Sequence, residues 1–105
     1  MTTTPAFALA AALLAAAAPA LADETIATVK YGCADGRTIE AVYHKESVDL
    51  VLSDGRKLSL PQTMSGSGIR YANADESIVF WSKGPTAFVE EGNATTYADC
   101  NQEGS

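Results

Sequence analysis

Val48-Asp49-Leu50-Val51-Leu52-Ser53-Asp54-Gly55-Arg56-Lys57-Leu58-Ser59-Leu60-Pro61 is the stretch that decides the fold. Val48, Leu50 and Leu52 point one way and Asp49 and Ser53 the other, the period of two that a half-buried strand requires. Asp54-Gly55 then supplies a turn dipeptide of the kind that adopts positive φ. Leu58 and Leu60 alternate with Lys57 and Ser59 on the return, and Pro61, which has no amide hydrogen for a ladder, is expected to end the strand. The segment reads as a β-hairpin with one apolar face.

Outward from it the same grammar repeats. Thr25 to Tyr31 is rich in β-branched residues, and Asp35-Gly36 turns it into Thr38 to Tyr43. Further strands are expected at Ile69 to Ala72, Ser77 to Trp81, Ala87 to Glu90 and Thr95 to Tyr97. No apolar pattern at helical spacing lasts beyond two turns. Seven or eight short strands in so few residues have to hide their edges, and a closed or nearly closed antiparallel β-barrel does so most economically, with a small sandwich as the alternative. Two stretches break the rhythm: Pro61 to Gly68, with two glycines and three hydroxyl side chains, and Ser82-Lys83-Gly84-Pro85. Irregular connections on a compact β scaffold are where function concentrates.

The chain has 105 residues and a net charge of −6, but all 7 basic and 13 acidic residues lie beyond position 22. Residues 1–22 are uncharged and Ala/Leu-rich, their apolar run is shorter than the roughly 20 residues a bilayer span needs, and Ala20-Leu21-Ala22 offers a small-x-small cleavage site. They are expected to be a secretory signal peptide, leaving residues 23–105 as one exported domain with no stable membrane anchor. Export permits a disulfide, and Cys33 and Cys100 are the only two cysteines. An acidic domain is a poor partner for nucleic acid, and two Cys with one His cannot assemble a four-ligand zinc site.

No enzyme constellation emerges. His44, the lone imidazole, sits in a polar stretch beside Lys45 and reads as a surface residue. Ser67 lacks the glycine two places earlier that a nucleophile elbow requires, and a Ser67/Lys83 dyad would need a deeply buried lysine. Asp75-Glu76 and Glu90-Glu91 are neighbours in sequence, so on strands they point apart. Tyr31, Tyr43, Tyr71, Phe80, Trp81, Phe88 and Tyr97 read as core and barrel wall. The chain is therefore expected to be neither an enzyme nor a cofactor protein.

Tyr31-x-Cys33, Asp54-Gly55-Arg56, Leu60-Pro61-Gln62-x-x-Ser65-x-Ser67-Gly68-x-Arg70-Tyr71, Phe80-Trp81-x-Lys83-Gly84-x-x-Ala87-Phe88 and Tyr97-x-x-Cys100 stand in one order. Together they resemble the MliC/PliC inhibitors of c-type lysozyme from Gram-negative bacteria. The resemblance implies an eight-stranded antiparallel barrel whose two motif loops enter the lysozyme cleft, with Ser67 and Lys83 at the inhibitory positions and Gly68, Tyr71 and Gly84 shaping the loops. Membrane-bound members carry a lipidated Cys after the signal; Asp23 stands here instead, as in the soluble periplasmic branch. Trp81 departs from members with Tyr nearby. The pattern leaves open whether Arg70 or Trp81 touches a target and whether a homodimer forms, and the alternatives to an inhibitor are a small-ligand-binding or a structural or adhesion β-barrel module of the cell envelope.

Overall fold

A computed structural model describes residues 24–103. The expected signal peptide at 1–22 and its cleavage site lie outside the described residues. Eight strands follow in order: β1 (Thr25–Gly32), β2 (Thr38–His44), β3 (Ser47–Leu52), β4 (Lys57–Thr63), β5 (Ile69–Ala72), β6 (Ile78–Lys83), β7 (Thr86–Glu91) and β8 (Ala94–Gln102). Each pairs antiparallel with the next and β8 returns to β1, closing a barrel by simple meander. The β1–β8 seam is narrow: Tyr31 pairs with Gln102 and Gly32 with Asn101, and Glu103 N–H donates to Lys30 O at 2.8 Å. The Cys33–Cys100 disulfide staples that seam.

The alternation in β3 is realised as expected, with Val48, Leu50 and Leu52 buried and Asp49 and Val51 exposed. Tyr31, Ile39, Leu60, Tyr71, Phe80, Val89 and Tyr97 fill the remaining interior. Phe80 is wholly buried and packs against Tyr31 and Tyr71 at ring separations of 6.2 and 6.1 Å. Among the described residues these side chains form one buried cluster inside the barrel, as an eight-stranded barrel allows.

The two Asp-Gly dipeptides solve different problems. Asp35 and Gly36 both have positive φ, the primed conformation that suits the twist of a hairpin. At Asp54-Gly55 only Gly55 has positive φ. Leu52 N–H donates to Arg56 O and Gly55 N–H to Leu52 O, both at 2.9 Å, so the loop holds three residues and ends in a left-handed glycine.

Pro61 does not end its strand. β4 runs on to Thr63, and Pro61 pairs opposite Ser47. Gln62 N–H donates back to Glu46 O at 2.9 Å, so the alternation of the ladder turns the Pro61 nitrogen toward β5, where pairing begins only at Gln62. The missing donor falls where no acceptor waits. The irregular loop is accordingly shorter than expected, Met64 to Gly68. Lys83 likewise belongs to β6, pairing with Thr86, and only Gly84-Pro85 form the turn. β8 extends well beyond Tyr97 because Asp99 adopts a left-handed conformation (φ 56°) at a bulge against β7. The extra residue brings Tyr97 and Cys100 to the same interior side although they are three apart.

Candidate functional site at one barrel rim

Meander topology sends the β2–β3, β4–β5 and β6–β7 connections to one end of the barrel. The two irregular segments are therefore neighbours. Ile69 pairs with Ser82, so one residue further along the same register Gly68 lies opposite Lys83. Gly68 has φ +68°, and a Cβ placed there would stand 2.5 Å from Lys83 Cγ and 3.0 Å from the Ser82 carbonyl oxygen. Only glycine satisfies both the backbone and the space. The aliphatic stem of Lys83 thus lies across Gly68, and the two loops form one surface.

Ser65 holds the β4–β5 loop from within. Its hydroxyl lies 2.8 Å from Ser67 O and 3.1 Å from Gly68 O and donates toward this pair of carbonyls. Gly84, with φ +54° ahead of Pro85, makes the tight β6–β7 turn, and Thr86 Oγ1 donates to Lys83 O at 2.9 Å across its base. Against this fixed backbone, the Ser67 hydroxyl and the Lys83 ammonium are exposed and make no hydrogen bond or ion pair with any described residue.

Beneath the rim, hydroxyl groups of interior side chains meet. Tyr31 and Tyr43 share a hydrogen bond of 2.6 Å, and Tyr43 donates to Ser82 Oγ at 3.0 Å. Burial drives the Tyr43 phenol far above its ordinary pKa, so it stays protonated and able to donate. Tyr71 is 2 % exposed, and burial raises its pKa too.

Arg70 and Trp81 belong to the outer wall. Arg70 donates to Thr63 Oγ1 at 2.8 Å and to Glu76 Oε1 at 3.0 Å, and its guanidinium lies 5.8 Å from the Trp81 ring centroid. Trp81 stacks in turn on Phe88 at 6.0 Å. His44 differs from the surface residue expected: its side chain is only 11 % exposed, with Nε2 2.9 Å from Asp49 Oδ2 and Nδ1 3.1 Å from Glu24 O. The residues that sequence reasoning passed over are apolar. Met64 is 90 % exposed and Ile69 41 %, both flanking the Ser67 loop, with Ile26 at 65 % exposed. A methionine among Ser, Thr and Gly was the available signal. Among the described residues no group of three or more His, Cys, Asp or Glu is placed to hold a metal ion.

The geometry defines a class: a small disulfide-stapled β-barrel that offers contacts from two fused loops at one rim. Residues 31–97, well over half of the chain, match the family model described as membrane-bound lysozyme-inhibitor of c-type lysozyme, and the chain belongs to that MliC family, one of inhibitor proteins and not of enzymes. Over 74 residues it is 40 % identical to a protein of Yersinia enterocolitica named membrane-bound lysozyme inhibitor of C-type lysozyme. That match covers 70 % of this chain and spans 61 % of the relative's length. The fold is similar to that of Pseudomonas aeruginosa MliC, solved in complex with hen egg white lysozyme: the TM-score is 0.55 at 23 % identity, covering 88 % of this chain and 98 % of the other.

Proposed function

We propose that this protein is a periplasmic inhibitor of c-type lysozyme that blocks the active-site cleft with the Ser67 and Lys83 loops. The observation that carries the reading is the packing of the Lys83 stem across Gly68, which joins the two loops in one surface and presents from it an ammonium and a hydroxyl that have no partner among the described residues. Retaining glycosidases hold two carboxyl groups about 5 Å apart, one protonated and one ionised. The ammonium pairs with the ionised group, and the hydroxyl bonds the other. Shut away from water in a cleft, such charge-assisted bonds are strong. Met64 and Ile69 add apolar area beside them, and the net charge of −6 draws the inhibitor toward a cationic enzyme.

The uncharged, Ala/Leu-rich residues 1–22 and the small-x-small site Ala20-Leu21-Ala22 support the periplasmic assignment. Asp23 at the new terminus, where lipid-anchored members carry Cys, favours a free form although the family is described as membrane-bound. Among the described residues no helix is long and apolar enough to cross a membrane. The mass of protein recovered from the periplasm tests this: a chain that retains residues 1–22 would overturn the assignment.

The decisive experiment is a lysozyme inhibition titration of Lys83→Ala, Ser67→Ala and Lys57→Ala, with melting curves alongside. Lys57 is exposed and begins β4 at the opposite end of the barrel, which makes it the control. Losing Lys83 removes one partner of a desolvated charge pair and should weaken inhibition by roughly 2 to 5 kcal/mol. Losing the Ser67 hydroxyl should weaken it by roughly 1 to 3 kcal/mol. The Lys57 variant should change it by well under about 1 kcal/mol. Equal, small losses at Lys83 and Lys57 would mean that long-range charge or another surface carries the binding.

A further inference from the structure

A cleft of about 320 Å³ opens at the same rim, lined by Ile26, Val29, Tyr43, Ile69, Tyr71 and Ser82 among others. Two features set it apart from an ordinary surface dimple. Tyr71 is 2 % exposed, yet its hydroxyl forms no hydrogen bond with any described residue. A buried polar group left in that condition calls for a partner from outside the chain. Ser82 is 9 % exposed and accepts from Tyr43, which leaves its own O–H without an acceptor. Tyr71 and Ser82 lie on adjacent strands, on the same interior side and diagonal to each other in register, since Ile69 pairs with Ser82 and Tyr71 with Phe80. The lining of the cleft therefore includes two hydroxyl donors without an acceptor among the described residues.

We infer that this cleft is a binding site for a small neutral sugar, of the N-acetylated amino-sugar class. Two free hydroxyl donors in one lining suit a ligand rich in neutral acceptors, such as an acetamide oxygen and ring hydroxyls. Ile69, Ile26 and Val29 provide apolar contact for its methyl group and for the ring. Gln62 and Gln102, also in the lining, can both donate to and accept from sugar hydroxyls. No carboxylate lines the cleft to meet an ammonium ion. Lys45 and His44 are its only basic side chains, and His44 is already engaged by Asp49. Its volume stands at the small end of ligand pockets, which run from roughly 300 to 1,000 Å³, so it fits about one ring. This site lies at the mouth and needs no hollow interior, and it does not depend on lysozyme binding.

The test uses the inhibitor alone, with N-acetylglucosamine as the probe and glucose as the comparison. Amide resonances are followed by two-dimensional NMR up to about 50 mM sugar, since one monosaccharide in an open cleft should bind with a Kd in the millimolar range. Saturable shifts are expected at Ile69, Tyr71, Ser82 and Gly84. Glucose, which lacks the acetamido group, should bind about tenfold more weakly, and Tyr71→Phe should weaken N-acetylglucosamine about tenfold. No saturable shift, equal binding of the two sugars, or shifts confined to the outer Trp81–Phe88 stack would each overturn the inference. If Tyr71→Phe does not fold, the two-sugar comparison on the unaltered protein still decides it. Because no lysozyme is present, failure here is separate from failure of the inhibitor reading.

Discussion

The two ends of the barrel are built from the same kinds of residue and behave as opposites. At the end that carries the β3–β4 and β7–β8 turns, Arg56 donates through both terminal nitrogens to Glu91 at 3.0 and 2.8 Å and through Nε to Asp54 at 2.9 Å. Thr96 Oγ1 adds a bond to Glu91 at 2.7 Å. Arg37 reaches the Thr96 carbonyl and lies 5.4 Å from the Tyr97 ring centroid. At the other end Lys83 and Ser67 have no such partners among the described residues, and the effort of the fold goes into the backbone: left-handed glycines at 68 and 84 and the carbonyl pair bound by Ser65. Charge that closes on itself at one rim holds strands together. Charge left open on a rigid backbone at the other rim is ready for a partner, with little ordering left to be done on binding.

That contrast predicts which changes alter stability and which alter binding. The largest effect on stability should come from replacing Cys33 and Cys100 with Ala. A crosslink spanning 67 residues should contribute about 4 kcal/mol on the loop-entropy account. Chemical denaturation would show a much lower midpoint; a loss below about 1 kcal/mol would mean that the seam holds without its staple.

Gly68→Ala comes next and is the sharpest probe of the open rim. The new methyl group meets the Lys83 stem and a main-chain oxygen, and the left-handed backbone disfavours it as well. A loss of roughly 1 to 3 kcal/mol in stability, together with weaker lysozyme inhibition, is expected. Intact inhibition would show that Lys83 can be displaced without consequence.

Glu91→Gln should cost roughly 1 kcal/mol and leave inhibition unchanged, because it acts only at the closed rim. Its effect has a sign in pH. Hydrogen bonds from Arg56 hold the Glu91 carboxyl below its ordinary value of 4.5. The stabilisation is therefore complete above that unfolded-state value and is lost as pH falls through the lower folded one. Melting temperatures of the native protein should drop across this acid window, and the Glu91→Gln protein should drop less. Parallel curves would remove Glu91 from the account.

The smallest effect expected is that of Lys57→Ala on inhibition, set out above as the control. A loss at Lys57 approaching that at Lys83 would erase the distinction between the two rims.

The barrel was legible because alternation in β3 and β4 is written in large aliphatic residues and every pairing but the closing one joins strands adjacent in sequence. What was not legible depended on neighbours rather than on local pattern. Pro61 sits inside a strand because the ladder on that side has not yet begun. The later part of β8 escaped notice because a bulge at Asp99 breaks the alternation between Tyr97 and Cys100. For the site, Ser67, Gly68, Tyr71, Lys83 and Gly84 were visible as motifs and by resemblance. The fit of Lys83 over Gly68 was not, since it depends on cross-strand register. Nor were the Tyr71 hydroxyl, left without a partner among the described residues, and the contacts of His44 with Glu24 and Asp49, which depend on neighbouring strands.

The narrow β1–β8 seam bears on the order in which the molecule assembles. Every other pairing joins strands adjacent in sequence, so seven hairpins can zip in succession from local encounters on the microsecond scale, while the closing contact spans nearly the whole domain and is the slow step. Until Asn101 and Gln102 reach β1, the chain is an open sheet with two bare edges, the form most prone to pair with a stranger. An oxidised chain, unfolded in denaturant with its crosslink intact, begins with those ends already joined. It should refold faster and aggregate less than the reduced chain, a difference that stopped-flow fluorescence of Trp81 can time.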